Sequence, residues 1–311
     1  MNQRQLLGYS LVLIILGMGW SFTQPMSKLA VSEGYQHFGL IFWQAAIGAA
    51  LLTVVSLIRG KSLPLGPAQL RVYLIIALIG TVIPNSATYQ AAVHLPSGIL
   101  SILLSMIPIF AFPVALALGN DQFEARRLGG LFLGLTGVMM IVLPSASIPQ
   151  MGSAFWVMIA LIGGACYACE GNYVAKWGTA GMDAIQVLLG ASLVGAIISL
   201  PLALATGQWI NPMPPYGVPD YAHILGSLIH VMVYAGYVWL VGRTGPVFAV
   251  QVSYLVTVFG VFWAKVILNE TYVPQVWLAL LAMLAGMYLV QPRKPSEPVV
   301  PSASMDQTGR N

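Results

Sequence analysis

The sequence predicts an all-α integral membrane protein with ten transmembrane helices, built as two inverted five-helix repeats around a central cavity. Three observations lead there: a composition with too little charge for a water-facing surface, ten apolar runs of membrane-crossing length, and a weak self-similarity between the halves of the chain. Of the 311 residues, 58% are hydrophobic and 7% charged, with a mean hydropathy of +0.82. Water-soluble domains carry about 25% charged residues, so a soluble enzyme, a nucleic-acid binder and a disordered chain are disfavoured together. The net charge of +4 does not point to a polyanion, because the 13 basic residues form no dense patch. Cys166 and Cys169 are too few and too close together for a disulfide scaffold.

A helix needs about 20 mostly apolar residues to cross a hydrocarbon core roughly 30 Å thick. Such runs, separated by charge, Pro or Gly, lie at 6–30, 38–58, 72–92, 97–118, 127–143, 153–176, 184–205, 221–241, 246–268 and 274–290. The first follows Arg4 as a signal sequence would. No small-residue cleavage site follows Trp20, however, and nine runs come after it, so it reads as a retained helix. With the N-terminus in the cytoplasm, Arg4, Arg59, Lys61, Arg71, Arg126, Arg127, Lys176, Arg243, Arg293, Lys294 and Arg310 lie inside, and only Lys28 and Lys265 outside. That asymmetry is a positive-inside signal. It predicts a multi-pass protein of the cell (inner) membrane with both termini cytoplasmic.

Sliding the chain by 149 positions brings Leu118-Gly119-Asn120-Asp121 onto Ile267-Leu268-Asn269-Glu270. The same shift brings Gly134-Leu135-Thr136-Gly137-Val138-Met139 onto Met283-Leu284-Ala285-Gly286-Met287-Tyr288. Each half holds five spans, an odd number, so the second must enter the membrane from the opposite side. Inverted repeats of this kind mark secondary transporters with a site near the midplane. The resulting division is a first repeat at 1–143, a connecting loop at 144–152, a second repeat at 153–292 and a disordered cytoplasmic tail at 293–311, where Pro295, Pro298 and Pro301 sit among polar residues.

Gly19-Trp20-Ser21-Phe22 followed by Lys28, together with the Asn120-Asp121 and Asn269-Glu270 helix ends that each precede a glycine-bearing helix, resembles the EamA-type branch of the drug/metabolite transporter superfamily. The resemblance covers residues 7–292. The family pattern carries Glu at both acidic positions, and Asp121 departs from it in the first half. The resemblance implies a basket of helices around a central cavity, with export of small metabolites such as amino acids or drug-like compounds.

Polar side chains avoid lipid, so polar stripes at helical spacing should face a cavity or another helix. Such stripes run through Trp20, Gln24 and Ser27; Thr81, Asn85 and Thr88; Ser97, Ser101 and Ser105; Tyr167, Glu170 and Tyr173; Ser227, His230, Tyr234 and Tyr237; and Gln251 and Tyr254. Spans one, three, four, six, eight and nine should therefore surround the cavity. Spans five and ten should face lipid or a partner subunit. The alternative for each Ser or Thr is a hydrogen bond to its own helix. At a rise of about 1.5 Å per residue, His230 and Ser105 lie roughly 14 and 12 Å from the outer face, level with Asn85 and Trp20, while Glu170 lies about 25 Å down. Pro84, Pro108, Pro113 and Pro201 interrupt helices, with Pro108 the strongest candidate for a functional break.

The candidate substrate-binding set is thus Trp20, Gln24, Asn85, Ser101, Ser105, Tyr167, Glu170, Tyr173, His230, Tyr234, Tyr237, Gln251 and Tyr254. Its aromatics suit a substrate with an apolar or cationic part. Glu170 is a candidate proton carrier or amine counter-ion, or else a boundary residue paired with Lys176. No phosphate loop, metal cluster or nucleophile motif occurs in the loops, so neither a cofactor nor a metal is expected. Gly130 and Gly134, with Ala282 and Gly286, allow close approach of spans five and ten, inside one chain or across a homodimer. The expected function is secondary active export of amino acids or amphiphilic compounds by alternating access, with protons as a candidate coupling ion. A multidrug or nucleotide-related carrier, with only Lys28 and Lys265 available for a phosphate, and an intramembrane enzyme or sensor are the alternatives.

Overall fold

The computed structural model describes residues 3–142, 153–244, 246–249 and 251–291, and within them every regular element is helical. The expected connecting loop at 144–152 and tail at 293–311 lie outside the described residues. The helices are α1 (Gln3–Ala30), α2 (His37–Ile58), α3 (Pro67–Ala77), α4 (Ile83–His94), α5 (Ser97–Leu104), α6 (Ile107–Leu118), α7 (Ala125–Val142), α8 (Ser153–Trp177), α9 (Ala184–Ala205), α10 (Val218–Thr244), α11 (Pro246–Ala249), α12 (Val252–Leu268) and α13 (Pro274–Val290). Eight helices among the described residues are long and apolar enough to cross a membrane, counting α3 with α4 and α5 with α6. Two shorter apolar helices, α12 and α13, each contain 17 residues.

Proline accounts for two of the interruptions. It lacks an N–H and its ring collides with the carbonyl four residues earlier. Ahead of Pro84 the chain widens into a π turn, Leu78–Val82, that joins α3 to α4 in one helical run. Ahead of Pro108 the helix ends at Leu104 and restarts at Ile107, giving the break expected there. Pro113 and Pro201 do not interrupt: α6 and α9 run through them and absorb the missing hydrogen bond. The ninth run, expected to be continuous, is instead split, with α11 ending at Ala249 and Gln251 capping α12.

The repeated acidic motif marks two similar helix ends used differently. α6 closes on Gly119 and α12 on Asn269, both left-handed, at φ 71° and φ 54°. Those caps fall one residue out of the register set by Asn120 and Asn269. Asp121 then pairs with Arg127 at 2.5 Å, whose Nε donates to Val290 O at 2.8 Å. Glu270 instead caps α5, accepting from the backbone N–H groups of Ser97 and Gly98 at 2.7 and 3.2 Å and from the Tyr272 hydroxyl.

α7 packs extensively against α13. A side chain added at Gly130 would stand 2.7 Å from Gly286 O, and one at Gly286 would stand 2.7 Å from Gly130 O. The small-residue faces of spans five and ten therefore meet each other within one chain. The other principal pairs are α2 with α9, α1 with α10 and α12, and α8 with α4 and α6. Asp183 caps α9 through a reciprocal pair with Gln186 and binds Arg59 and Lys61 at 2.8 and 2.7 Å. Burial pushes the Asp183 carboxyl up, but hydrogen bonds from Lys61, Arg59 and the Gln186 backbone outweigh it and hold the group well below the usual carboxylate range.

Candidate functional site

A cavity of about 660 Å³ lies between the helices of the two halves. From the first half α1, α2, α3, the π turn, α4, α5 and α6 contribute, with Ser105 at the break between the last two, and from the second half α8, α9, α10 and α12. Nine of the thirteen expected site residues line it: Trp20, Gln24, Asn85, Ser105, Tyr167, Glu170, His230, Tyr234 and Tyr237. α7 and α13 contribute no lining residue, as the near absence of polar groups from spans five and ten anticipated. Spans two and seven do contribute, contrary to expectation, through Gln44 and Gly48 of α2 and Ser192 of α9.

Four expected residues lie elsewhere, each for a local reason. Ser101 is fully buried, bonds its own helix at Ser97 O, and fills the space left by Gly260 of α12, where an added Cβ would stand 2.3 Å from Ser101 Cβ. Tyr173 packs in a cluster around Tyr73 and Val187, with Trp177 at 5.1 Å between ring centroids. Gln251 is exposed at the start of α12. The Tyr254 hydroxyl accepts from Gln291 Nε2 at 3.0 Å. Gln251 is the cap of α12, and the helix presents Val252, Ser253 and Val256 to the cavity instead.

Aromatic rings form one wall. Trp20 meets Tyr237, Tyr234 and His230 with centroids 5.4, 5.8 and 6.3 Å apart, all edge to face. Such contacts fix ring orientation and present π faces to whatever occupies the space. Elsewhere on the wall, Tyr167 donates to Asn85 Oδ1 at 3.2 Å, Asn85 donates to Gln44 Oε1 at 3.4 Å, and Tyr89 donates to the same oxygen at 2.8 Å. This chain ties α8 to α4 and α2. Sequence reasoning missed Gln44, a single polar residue in an otherwise apolar run, and Tyr89, although Tyr89 lies four residues beyond Asn85.

Glu170 is the one carboxylate on the cavity wall, and no Lys or Arg lines it among the described residues. Lys176, the expected alternative partner, instead donates to Leu118 O at 2.6 Å and covers the Trp177 ring. A side chain on Gly80, in the π turn, would stand 2.7 Å from Glu170 Cδ. Lys28 is also spent: its ammonium donates to Ala92 O, Val93 O and Leu95 O at 2.5, 3.1 and 3.1 Å, closing the end of α4. Lys265 lies over Trp277. Neither cation faces the cavity, so it offers a phosphate no charged partner.

Several hydroxyls satisfy themselves locally, as the alternative reading of Ser and Thr allowed. Thr23, Ser27 and Ser105 all donate to carbonyls of their own helical stretch. Among the described residues no cluster of three or more metal-ligating side chains occurs.

The EamA-like transporter family matches residues 7–143 and 154–291. The chain is 24% identical to YedA, an uncharacterized inner membrane transporter of Escherichia coli K12, over 98% of this chain and 99% of that protein. It is 22% identical to a Streptantibioticus cattleyicolor protein named "Probable terminal-alkyne amino-acid exporter", over 90% of this chain and 92% of that one. A crystal structure at 17% identity shares the fold, with a TM-score of 0.62 over 91% of this chain and 98% of its own. The relatives are named as transporters and not as enzymes, and the apolar helices make this a multi-pass membrane protein. With both halves matched, the chain belongs to the EamA-like transporter family.

Proposed function

We propose that the protein is a secondary active exporter of small metabolites, amino acids or amphiphilic compounds, working by alternating access in the inner membrane with both termini cytoplasmic. The observation that carries this reading is the cavity of about 660 Å³ between the two halves, with aromatic walls and a single carboxylate. A pocket of that size suits a metabolite, and residues from both halves would be drawn apart or together as the halves rock.

The helix pairing supports ten crossings in two inverted repeats, 1–143 and 153–292. Shifting every span by five maps the principal pairs onto one another: α1 packs on α10 and α12 as α8 packs on α4 and α6, while α2–α9 and α7–α13 map onto themselves. The use of the α7 and α13 small-residue faces inside one chain favours a monomer. Glu170 is the candidate proton carrier, because it is the one cavity side chain whose charge a proton would cancel and no cation holds it ionised. The relative named as an amino-acid exporter supports the direction and the substrate size. The absence of Lys and Arg from the wall weighs against nucleotide-related substrates.

The test is reconstitution into proteoliposomes with a panel of labelled amino acids and amphiphilic amines, with and without a pH gradient. Gradient-dependent accumulation of a chemically unchanged compound is the expected result. A modified product would replace this reading with an intramembrane enzyme.

A further inference from the structure

The end of the cavity nearest the start of α10 holds three polar atoms that nothing satisfies. Gln24 Oε1, His223 Nε2 and Ser227 Oγ are buried and have no hydrogen-bond partner among the described residues, although their residues line the cavity. The residues are 9%, 7% and 3% exposed. Leaving such atoms unpaired is unfavourable, so a site that retains three together is suited to something that binds there.

The three converge. His223 and Ser227 are four residues apart on α10, hence on one face. α1 runs antiparallel beside them: side chains added at Gly19 and Gly226 would meet Val233 and Met26 at 2.6 and 3.1 Å. That register puts Gln24 within one residue of the level of Ser227. Ser227 also differs from Thr23, Ser27 and Ser105, whose hydroxyls close on their own helix. The Leu40 backbone lies beside the His223 ring, whose Nε2 has no partner among the described residues. With its N–H turned to that carbonyl, the ring keeps a lone pair on Nε2. The group therefore presents two acceptors and a hydroxyl.

We infer that Gln24, His223 and Ser227 form a second polar subsite that receives an N–H or O–H donor of the transported molecule, so that the substrate is an amine carrying a further donor across an apolar middle. The inference rests on the transport reading above and narrows it. The amine belongs at Glu170, the single carboxylate, and the apolar middle lies along Trp20 and Tyr234. Spacing follows from the strand of helix linking the two ends. Glu170 abuts Gly80, while the His223 ring is 6.3 Å from that of Tyr89. Nine residues separate those levels, about 13 Å at helical rise. A six-carbon chain with a hydrogen bond of about 2.9 Å at each end covers that distance.

The experiment measures equilibrium binding to the purified full-length protein by tryptophan fluorescence, using hexylamine, the amino alcohol and diamine of the same length, and the corresponding amino acid. The amino alcohol and the diamine are expected to bind about tenfold more tightly than hexylamine, the gain of one well-made buried hydrogen bond. Their ranking tells O–H from N–H. The amino acid, whose carboxylate meets acceptors, is expected to bind more weakly than hexylamine. His223→Gln and Ser227→Ala should each reduce the tenfold preference, and Ser227→Ala removes only one oxygen, so it keeps the test valid if His223→Gln does not fold. Equal binding of hexylamine and the amino alcohol by the natural protein, or a preference untouched by Ser227→Ala, overturns the inference. Accumulation of hexylamine in proteoliposomes without any donor preference would overturn it while leaving the transport reading intact. No preference in binding, with no accumulation of any of the four or of any compound in the wider panel, would remove both.

Discussion

Glu170 and Gly80 are in contact across the α8 interface with the π turn, so closely that one methyl group on the glycine would sit 2.7 Å from the carboxyl carbon. The π turn exists because Pro84 forces the preceding helix to widen. A backbone irregularity thus makes room for the one carboxylate in the cavity.

Gly80→Ala should therefore disturb transport specifically. Overpacking of this kind costs about 1–3 kcal/mol locally, and rates of uptake are expected to fall about tenfold or more while the protein still elutes as a single species. Gly129→Ala is the control, because nothing lies within 4 Å of an added Cβ there. Equal behaviour of the two variants would show that the Gly80 contact has no part in transport.

Removing the charge without the shape isolates Glu170. Glu170→Gln should insert and fold normally yet lose its response to an imposed pH gradient, read as the ratio of uptake with and without the gradient. A retained ratio would assign proton coupling elsewhere.

Trp20 holds three rings, so its loss should exceed that of one contact. Edge-to-face pairs contribute about 0.5–1.5 kcal/mol each beyond burial, and Trp20→Ala is expected to weaken substrate binding about tenfold or more. Trp20→Phe, which keeps a ring, should recover part of that. Identical affinities for the two variants would mean that aromatic character is irrelevant there.

Gly130→Leu should separate α7 from α13 and lower the melting temperature in detergent, because the added side chain meets the Gly286 carbonyl and Leu289 at 2.7 Å each. The overpacking cost is about 1–3 kcal/mol. An unchanged melting temperature would mean that the two helices do not pack through these glycines.

The Asp183 cluster predicts a pH signature. Its carboxyl is depressed in the folded protein, so its contribution is present above the unfolded pKa of about 4 and is lost as pH falls from there toward the folded value. Arg59 and Lys61 are 36% and 48% exposed at the side chain, so solvent limits the pairs to about 0.2–1 kcal/mol. Asp183→Asn should lower the melting temperature slightly at neutral pH, with the gap closing below about pH 4. A gap independent of pH would exclude the charge as its cause.

The sequence revealed most of the cavity where polar residues recur at helical spacing. Trp20 and Gln24, Tyr167 and Glu170, and His230, Tyr234 and Tyr237 share faces because 3.6 residues make a turn, and all seven reach the cavity. The same spacing, carried back from His230 through Ser227, reaches His223, so that omission was legible. Gln44 was not: one polar residue makes no stripe. Gln251 and Tyr254 misled because Gln251 is the cap of α12 and not part of its length, and α12 presents Val252, Ser253 and Val256 to the cavity instead.

What the chain determines alone is its solvent and its helices, since a composition with 7% charge cannot face water and apolar runs must satisfy their backbone internally. What only the tertiary structure decided is which polar groups meet. Lys28 and Glu270 are charges in the sequence but caps in the fold, spent on the end of α4 and the start of α5. Glu170 has no such partner among the described residues and faces the cavity. That difference arises because a buried charge takes whatever unpaired backbone group its neighbours leave within reach, and reach is set by helix packing and not by position along the chain.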